Sequence, residues 1–228
     1  MPVRLAQIRP NQYSAAFGFK HNFWRRCVFT LIEAAGWPIY LLLIASLVAV
    51  TLITERALFL RRKNIVPPKL LEEVVQEMTQ RGVSQQMLTK LSEGSPLGKV
   101  FAAGLKNIKN SPDVMKDSIE EAGRGAAHSL ERFLTTLGTI ASISPLLGLF
   151  GTVIGMIEIF GSQSAGGAAP TELAHGISVA LYNTAFGLIV AVPSMIAYRH
   201  FRAQVTSLTI EMEQQAIKLV EIVHGERK

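Results

Sequence analysis

The chain has one cysteine, Cys27, in 228 residues, so no intrachain disulfide can form. Its five histidines, His21, His128, His175, His200 and His224, are scattered, and none stands at metal-ligand spacing from Cys, Asp or Glu. No metal site is expected. His-Glu-x-x-His and Gly-x-Ser-x-Gly are both missing, which leaves hydrolase and metalloprotease chemistry without a nucleophile or a ligand set. The nearest thing to a phosphate loop is Gly-Ser-Pro-Leu-Gly-Lys at 94–99. It has three residues between its glycines where that loop needs four, and Val100 stands where a metal-holding Ser or Thr belongs. The chain is therefore expected to be no enzyme and to carry no cofactor. A net charge of +6 could suggest nucleic acid, but the Lys and Arg residues flank apolar stretches and no aromatic-interleaved basic patch occurs. The charge reads as membrane-related. No internal repeat is evident, and residues 1–22 lack the compact apolar core and cleavage site of a signal peptide.

Charge itself is the most telling absence. Three stretches contain no Asp, Glu, Lys or Arg: residues 34–54, 133–157 and 176–198, which are 21, 25 and 23 residues long. At ~1.5 Å of rise per residue each is long enough to cross a bilayer as a helix. The first is rich in Leu, Ile and Val, with Trp37 and Tyr40 at its start, and suits contact with lipid. The other two are rich in small residues. Gly148, Gly151 and Gly155 recur at helical spacing in one. Gly176, Ala180, Thr184, Gly187, Ala191 and Ser194 form a continuous stripe in the other. Such stripes let helix backbones approach closely. Each stretch places one threonine in that setting, Thr152 and Thr184, and Asn183 adds an amide. These groups give and take hydrogen bonds but do not titrate. An ionisable group at depth is the usual requirement for moving a proton through hydrocarbon, and neither stretch has one. A titrating group would have to come from another polypeptide. On the residues alone, structural packing remains open beside an ion path, with Thr152 bonding its own helix carbonyl.

Residues 148–157, Gly-Leu-Phe-Gly-Thr-Val-Ile-Gly-Met-Ile, resemble the signature of the MotA/TolQ/ExbB proton-channel family. So do residues 176–193, Gly-Ile-Ser-Val-Ala-Leu-Tyr-Asn-Thr-Ala-Phe-Gly-Leu-Ile-Val-Ala-Val-Pro. The order of elements is similar to that of the ExbB and TolQ branch. Members of that branch commonly carry a glutamate in the first turn of the last span, where this chain has Val179. The resemblance implies a pentameric ring around an ExbD/TolR-like subunit whose single span supplies an aspartate, with Thr152 and Thr184 lining the path. It implies a proton-driven motor in the bacterial inner membrane that works on the outer membrane through a TonB- or Tol-type protein. A MotA-like stator using protons or sodium is the neighbouring alternative, although that branch has four spans, and a purely structural scaffold is the other.

The expected fold is an all-α integral membrane protein with three transmembrane helices and long cytoplasmic helical extensions, assembled as a homo-oligomeric ring. Residues 1–33 form an extracytoplasmic tail with an interfacial helix at 23–32, and transmembrane helix 1 covers 34–54. A cytoplasmic helical region fills 55–132, with helices near 69–79, 84–91 and 97–108 and one from 113 that runs unbroken into the second span. Transmembrane helix 2 occupies 133–158, an extracytoplasmic loop 159–173, transmembrane helix 3 174–198, and a cytoplasmic helix 199–228. In the last, Val205, Leu208, Met212, Gln215, Leu219, Ile222 and Val223 form an apolar stripe expected to bury against other copies of the chain. Orientation follows from the loop after helix 2, which has no Lys or Arg, against the basic 55–132 and 199–228 segments. The basic N-terminal tail then lies on the side that the charge rule disfavours.

Overall fold

The computed structural model describes residues 36–162 and 170–225. The expected tail and interfacial helix of 1–33, Cys27, and the centre of the loop at 163–169 lie outside them. Among the described residues there are eight helices and no strand. Helix α1, Pro38–Phe59, opens on a proline, whose fixed φ and missing N–H suit a first helical turn. Ile44, Leu47 and Val50 stand exposed along it. The hydroxyls of Thr51 and Thr54 donate to the carbonyls of Leu47 and Val50, both at 2.8 Å, so neither hydroxyl is a bare donor. It continues past the expected end at 54 by more than a turn.

The next stretch is a run of five helices: α2 Arg62–Ile65, α3 Leu70–Arg81, α4 Gln85–Gly94, α5 Pro96–Lys106 and α6 Pro112–Glu131. Gly82, at φ 72°, terminates α3, and its N–H bonds Met78 O. Ser84 and Ser95 cap α4 and α5 by accepting from the N–H groups of Met87 and Gly98, at 3.2 and 3.1 Å. The second of those bonds closes the Gly-Ser-Pro-Leu-Gly-Lys segment on its own backbone. Helices α7, Leu134–Ser162, and α8, Pro170–Val223, complete the fold. Both reach into the expected 159–173 loop, which is shorter than the sequence suggests because Phe160–Ser162 and Pro170–Leu173 are helical. Among the described residues, three helical stretches, Pro38–Phe59, Pro112–Gly161 and Gly176–Val223, are long and apolar enough to cross a membrane.

The chain forms two compact units, one from Met1–Ala45 and Ile143–Val190, the other from Ser46–Ser142 and Ala191–Lys228. The core of the second unit gathers Leu60, Leu97, Val100, Phe101, Leu105, Met115, Leu130 and Leu137 with Phe201, Val205, Leu208, Met212, Ala216 and Leu219 of α8. Burying each large side chain of this kind is worth about 1.5–3 kcal/mol. The stripe of α8 is thus covered within its own chain, which corrects the expectation that other copies cover it. The amphipathic faces of α5 and α6 supply the apolar partners. Where Gly104 faces Ile119, an added Cβ would lie 2.7 Å from that side chain, so α5 and α6 cross with no space to spare. Two further ties hold α8 in this unit: Gln204 donates to Leu60 O at 2.9 Å, and Arg62 Nε donates to both carboxylate oxygens of Glu211, at 2.9 and 3.1 Å. The Glu211 hydrogen bond first, and its charge second, raise the Arg62 pKa above the ordinary arginine value.

A second correction concerns the helix expected to enter the second span unbroken. It is interrupted at Arg132 (φ −50°, ψ 138°) and Phe133 (φ 65°), and α7 starts afresh at Leu134.

Candidate functional site

In the first unit, α7 and α8 run antiparallel along a seam in which the glycines stand where backbones meet. A Cβ added at Gly187 would lie 2.6 Å from Ser144 O and 3.1 Å from the Cα of Gly148. One added at Gly148 would lie 2.7 Å from Asn183 O and 2.9 Å from the Cα of Thr184. At Gly151 it would meet Cβ and Cγ of Asn183, both at 2.7 Å, and at Gly155 the Cβ of Ala180 at 3.2 Å. Gly176 faces Ile159, whose Cδ1 would be 2.5 Å away. The pairing of 144 with 187, 148 with 183–184, 155 with 180 and 159 with 176 is one continuous antiparallel register. The six residues of the expected packing set, Gly148, Gly151, Gly155, Gly176, Ala180 and Gly187, all lie on it. Trp37, just ahead of α1, packs within the same unit, its ring meeting Phe150 edge-on at 6.0 Å.

The three polar residues of the expected ion path stand in different surroundings. Asn183 is 2% exposed and its side chain lies against Gly151, inside the helix pair. Thr184 is half-buried, its Cα fitted against Gly148. Thr152 is half-buried too, on a face of α7 shared with Val153, Met156, Ile157 and Phe160. Its hydroxyl donates to Leu149 O at 2.6 Å, one residue nearer than the i−4 carbonyl expected. That bond uses the proton of the hydroxyl and leaves its lone pairs able to accept from water or from a protonated carboxyl. Polar groups among the described residues are otherwise sparse here. Glu158 is exposed near the end of α7, and Ser144 is fully buried in the seam. No cluster of His, Cys, Asp and Glu fit to hold a metal occurs among the described residues.

The sequence did not mark the environment of Arg56, which is 2% exposed and the only buried charged side chain among the described residues. Nor did it mark Phe133 as a residue of positive φ, because neither Gly nor Pro stands at 130–134.

Comparison with known proteins gives these features a family. The profile of the MotA/TolQ/ExbB proton channel family matches residues 92–214, more than half of the chain, and includes α7 and all but the last nine residues of α8. An ExbB-like biopolymer transport protein of Synechocystis sp., ExbB-like 3, is 33% identical over 163 residues, which is 69% of this chain and 77% of that protein. The Tol-Pal system protein TolQ of Pseudomonas aeruginosa is 29% identical over 194 residues, covering 78% and 84%. The biopolymer transport protein exbB1 of Vibrio cholerae is 32% identical over 167 residues, covering 70% and 71%. With three apolar helices, a glycine seam and these relatives, the chain is a multi-pass membrane protein that belongs to the MotA/TolQ/ExbB proton channel family, in its ExbB/TolQ-like branch.

Proposed function

We propose that this protein is the inner-membrane ring subunit of a proton-motive-force-driven motor, with no enzymatic activity of its own. It would assemble as a homopentamer around an ExbD/TolR-like single-span partner and energise transport or envelope processes through a TonB- or Tol-type protein. The observation that carries this reading is chemical. Two charge-free spans, 133–157 and 176–198, place Thr152 and Thr184 on a tightly packed helix pair without any carboxylate. Hydroxyls can order water and accept from a carboxylic acid, but they cannot store a proton. Such a surface is suited to a path whose titrating group is brought by another chain. The Thr152 face, an open apolar groove with one hydroxyl, is where a partner helix would lie. Asn183, buried inside the pair, would set register rather than meet the ion.

The bond from Thr152 to Leu149 O supports the scaffold reading as well, in which the hydroxyl only satisfies itself. Proton flux separates the two. Three vesicle preparations are compared: this chain alone, the chain with its partner, and the chain with a partner carrying Asp→Asn in its span. Flux is expected only in the second. Equal flux in all three would place the titrating group in this chain, and no flux in any would favour the scaffold.

A further inference from the structure

Arg56 lies three residues from the end of α1, and each nitrogen of its guanidinium donates a hydrogen bond. Nε and Nη2 fork onto the carboxylate of Glu55, at 2.5 and 2.9 Å. Nη1 donates to Leu130 O at 3.2 Å. The plane is flanked by Phe59 at 4.9 Å and Phe133 at 5.1 Å, and Arg132 covers the Phe133 ring from 4.7 Å. Leu130 belongs to the last turn of α6, where carbonyls have lost their intrahelical donors and the helix dipole is negative. In an uninterrupted helix the partner of Leu130 O would be the N–H of Leu134. Here it receives the guanidinium.

The backbone at that point does what its sequence does not ask for. Leu130-Glu131-Arg132-Phe133-Leu134 contains no helix breaker, yet the φ values of Arg132 (φ −50°, ψ 138°) and Phe133 (φ 65°) are near those of the two central residues of a type II turn. The second central residue of that turn needs positive φ and is ordinarily Gly. Phe133 is the only described non-glycine residue with positive φ. Something must hold it there. We propose that Arg56 is a positioning residue that holds the turn between α6 and α7: by taking the Leu130 carbonyl and stacking on Phe133, the end of α1 stops α6 and sets the direction in which α7 begins. The segment has two arrangements. With Arg56 in place it is turned. Without it, Leu130 O is released to Leu134 N–H and the segment relaxes to a continuous helix.

Pulsed electron–electron spin resonance across the turn reads this directly. Glu121 and Thr139 are exposed on either side of it and carry labels on a Cys27→Ser background. In a continuous helix these positions are ~27 Å apart along the axis. The native protein should give a shorter, narrow distribution. Arg56→Met keeps the apolar stem against both rings and removes the charge and hydrogen bonds, and it should move the main distance toward ~27 Å. Adding Phe133→Gly, which removes the penalty on positive φ, should bring back a substantial shorter component. That rescue is the readout a merely stabilising role would not produce. Arg56→Lys retains a charge without the planar fork and should give a mixture of both distances, which keeps the test open if the Met variant does not fold. Native distances in folded Arg56→Met and Arg56→Lys proteins would overturn the proposal, as would lengthening in Arg56→Met that Phe133→Gly does not reverse. The measurement uses no ion gradient, so its failure and the failure of the transport reading are distinguishable.

Discussion

At the residue scale, the two kinds of helical glycine in this chain should respond oppositely to one methyl group. A Cβ at Gly151 would overlap the Asn183 side chain at 2.7 Å, and Asn183, 2% exposed, has little room to withdraw. Overfilling of this kind costs about 1–3 kcal/mol. Gly125, within α6, has nothing within 4 Å of an added Cβ. There Gly→Ala removes backbone freedom from the unfolded chain and is worth about 0.5–1 kcal/mol of stabilisation. Thermal unfolding in one detergent should therefore lower the Tm for Gly151→Ala and raise it for Gly125→Ala. An unchanged Gly151→Ala would mean that the seam opens freely. The threonines pose a different question, since Thr→Val conserves volume and deletes only the hydroxyl. A hydroxyl in a packed membrane bundle contributes about 0.6–2 kcal/mol, so Thr152→Val and Thr184→Val should leave the fold intact. Flux through the complex with the partner should fall in both. Full flux in both variants would reduce the threonines to packing groups.

At the element scale, stability should grade with what each side chain does for its helix. Phe101, fully buried in α5, should cost about 3–5 kcal/mol when truncated to Ala. Ser95→Ala removes the cap bond to Gly98 N–H and should cost about 1 kcal/mol. Gln86→Ala, exposed on α4, should stay within about 0.5 kcal/mol. A Ser95 effect no larger than that of Gln86 would show that the cap adds nothing. The same distinction explains what the sequence made legible. Helix boundaries are set by local signals, so α3 to α6 begin within a residue of the expected 69, 84, 97 and 113, and α3 to α5 end within three residues of the expected 79, 91 and 108. The glycine stripes likewise identified the faces on which α7 and α8 meet, because close approach needs small residues at helical spacing. The stripe of α8 was legible as a face but its covering was not: periodicity says which side is apolar and nothing about what covers it. The turn at Arg132–Phe133 was beyond reach for a stronger reason. Its cause lies in Arg56, 74 positions before the Leu130 carbonyl that it holds, and the local sequence favours a straight helix.

At the scale of the whole molecule, the small-residue seam joins α7 and α8 within one chain, while Leu146, Leu149, Val153 and Ile157 of α7 and Leu181, Leu188 and Ile189 of α8 remain exposed. In a membrane such faces are covered by lipid or by copies and partners, and a ring uses both. Which side each end faces is decided by charge. Residues 160–171 contain no charged side chain, whereas Arg61, Arg62 and Lys63 follow α1, Arg132 precedes α7, and Arg199 and Arg202 follow the third span. Positive charge is retained on the cytoplasmic side, so the 163–169 segment is expected outside and the α3–α6 region inside. The basic N-terminal tail, with Arg4, Arg9 and Lys20, opposes this arrangement, but three flanks agree against one. Single cysteines on a Cys27→Ser background test it in intact, outer-membrane-permeabilised cells. Ser164→Cys is expected to react with a membrane-impermeant maleimide. Gln86→Cys, exposed on α4 and clear of the Ser84 cap, is expected to react only after lysis. The reverse pattern would invert the protein, and with it the side from which protons would reach Thr152 in the proposed path.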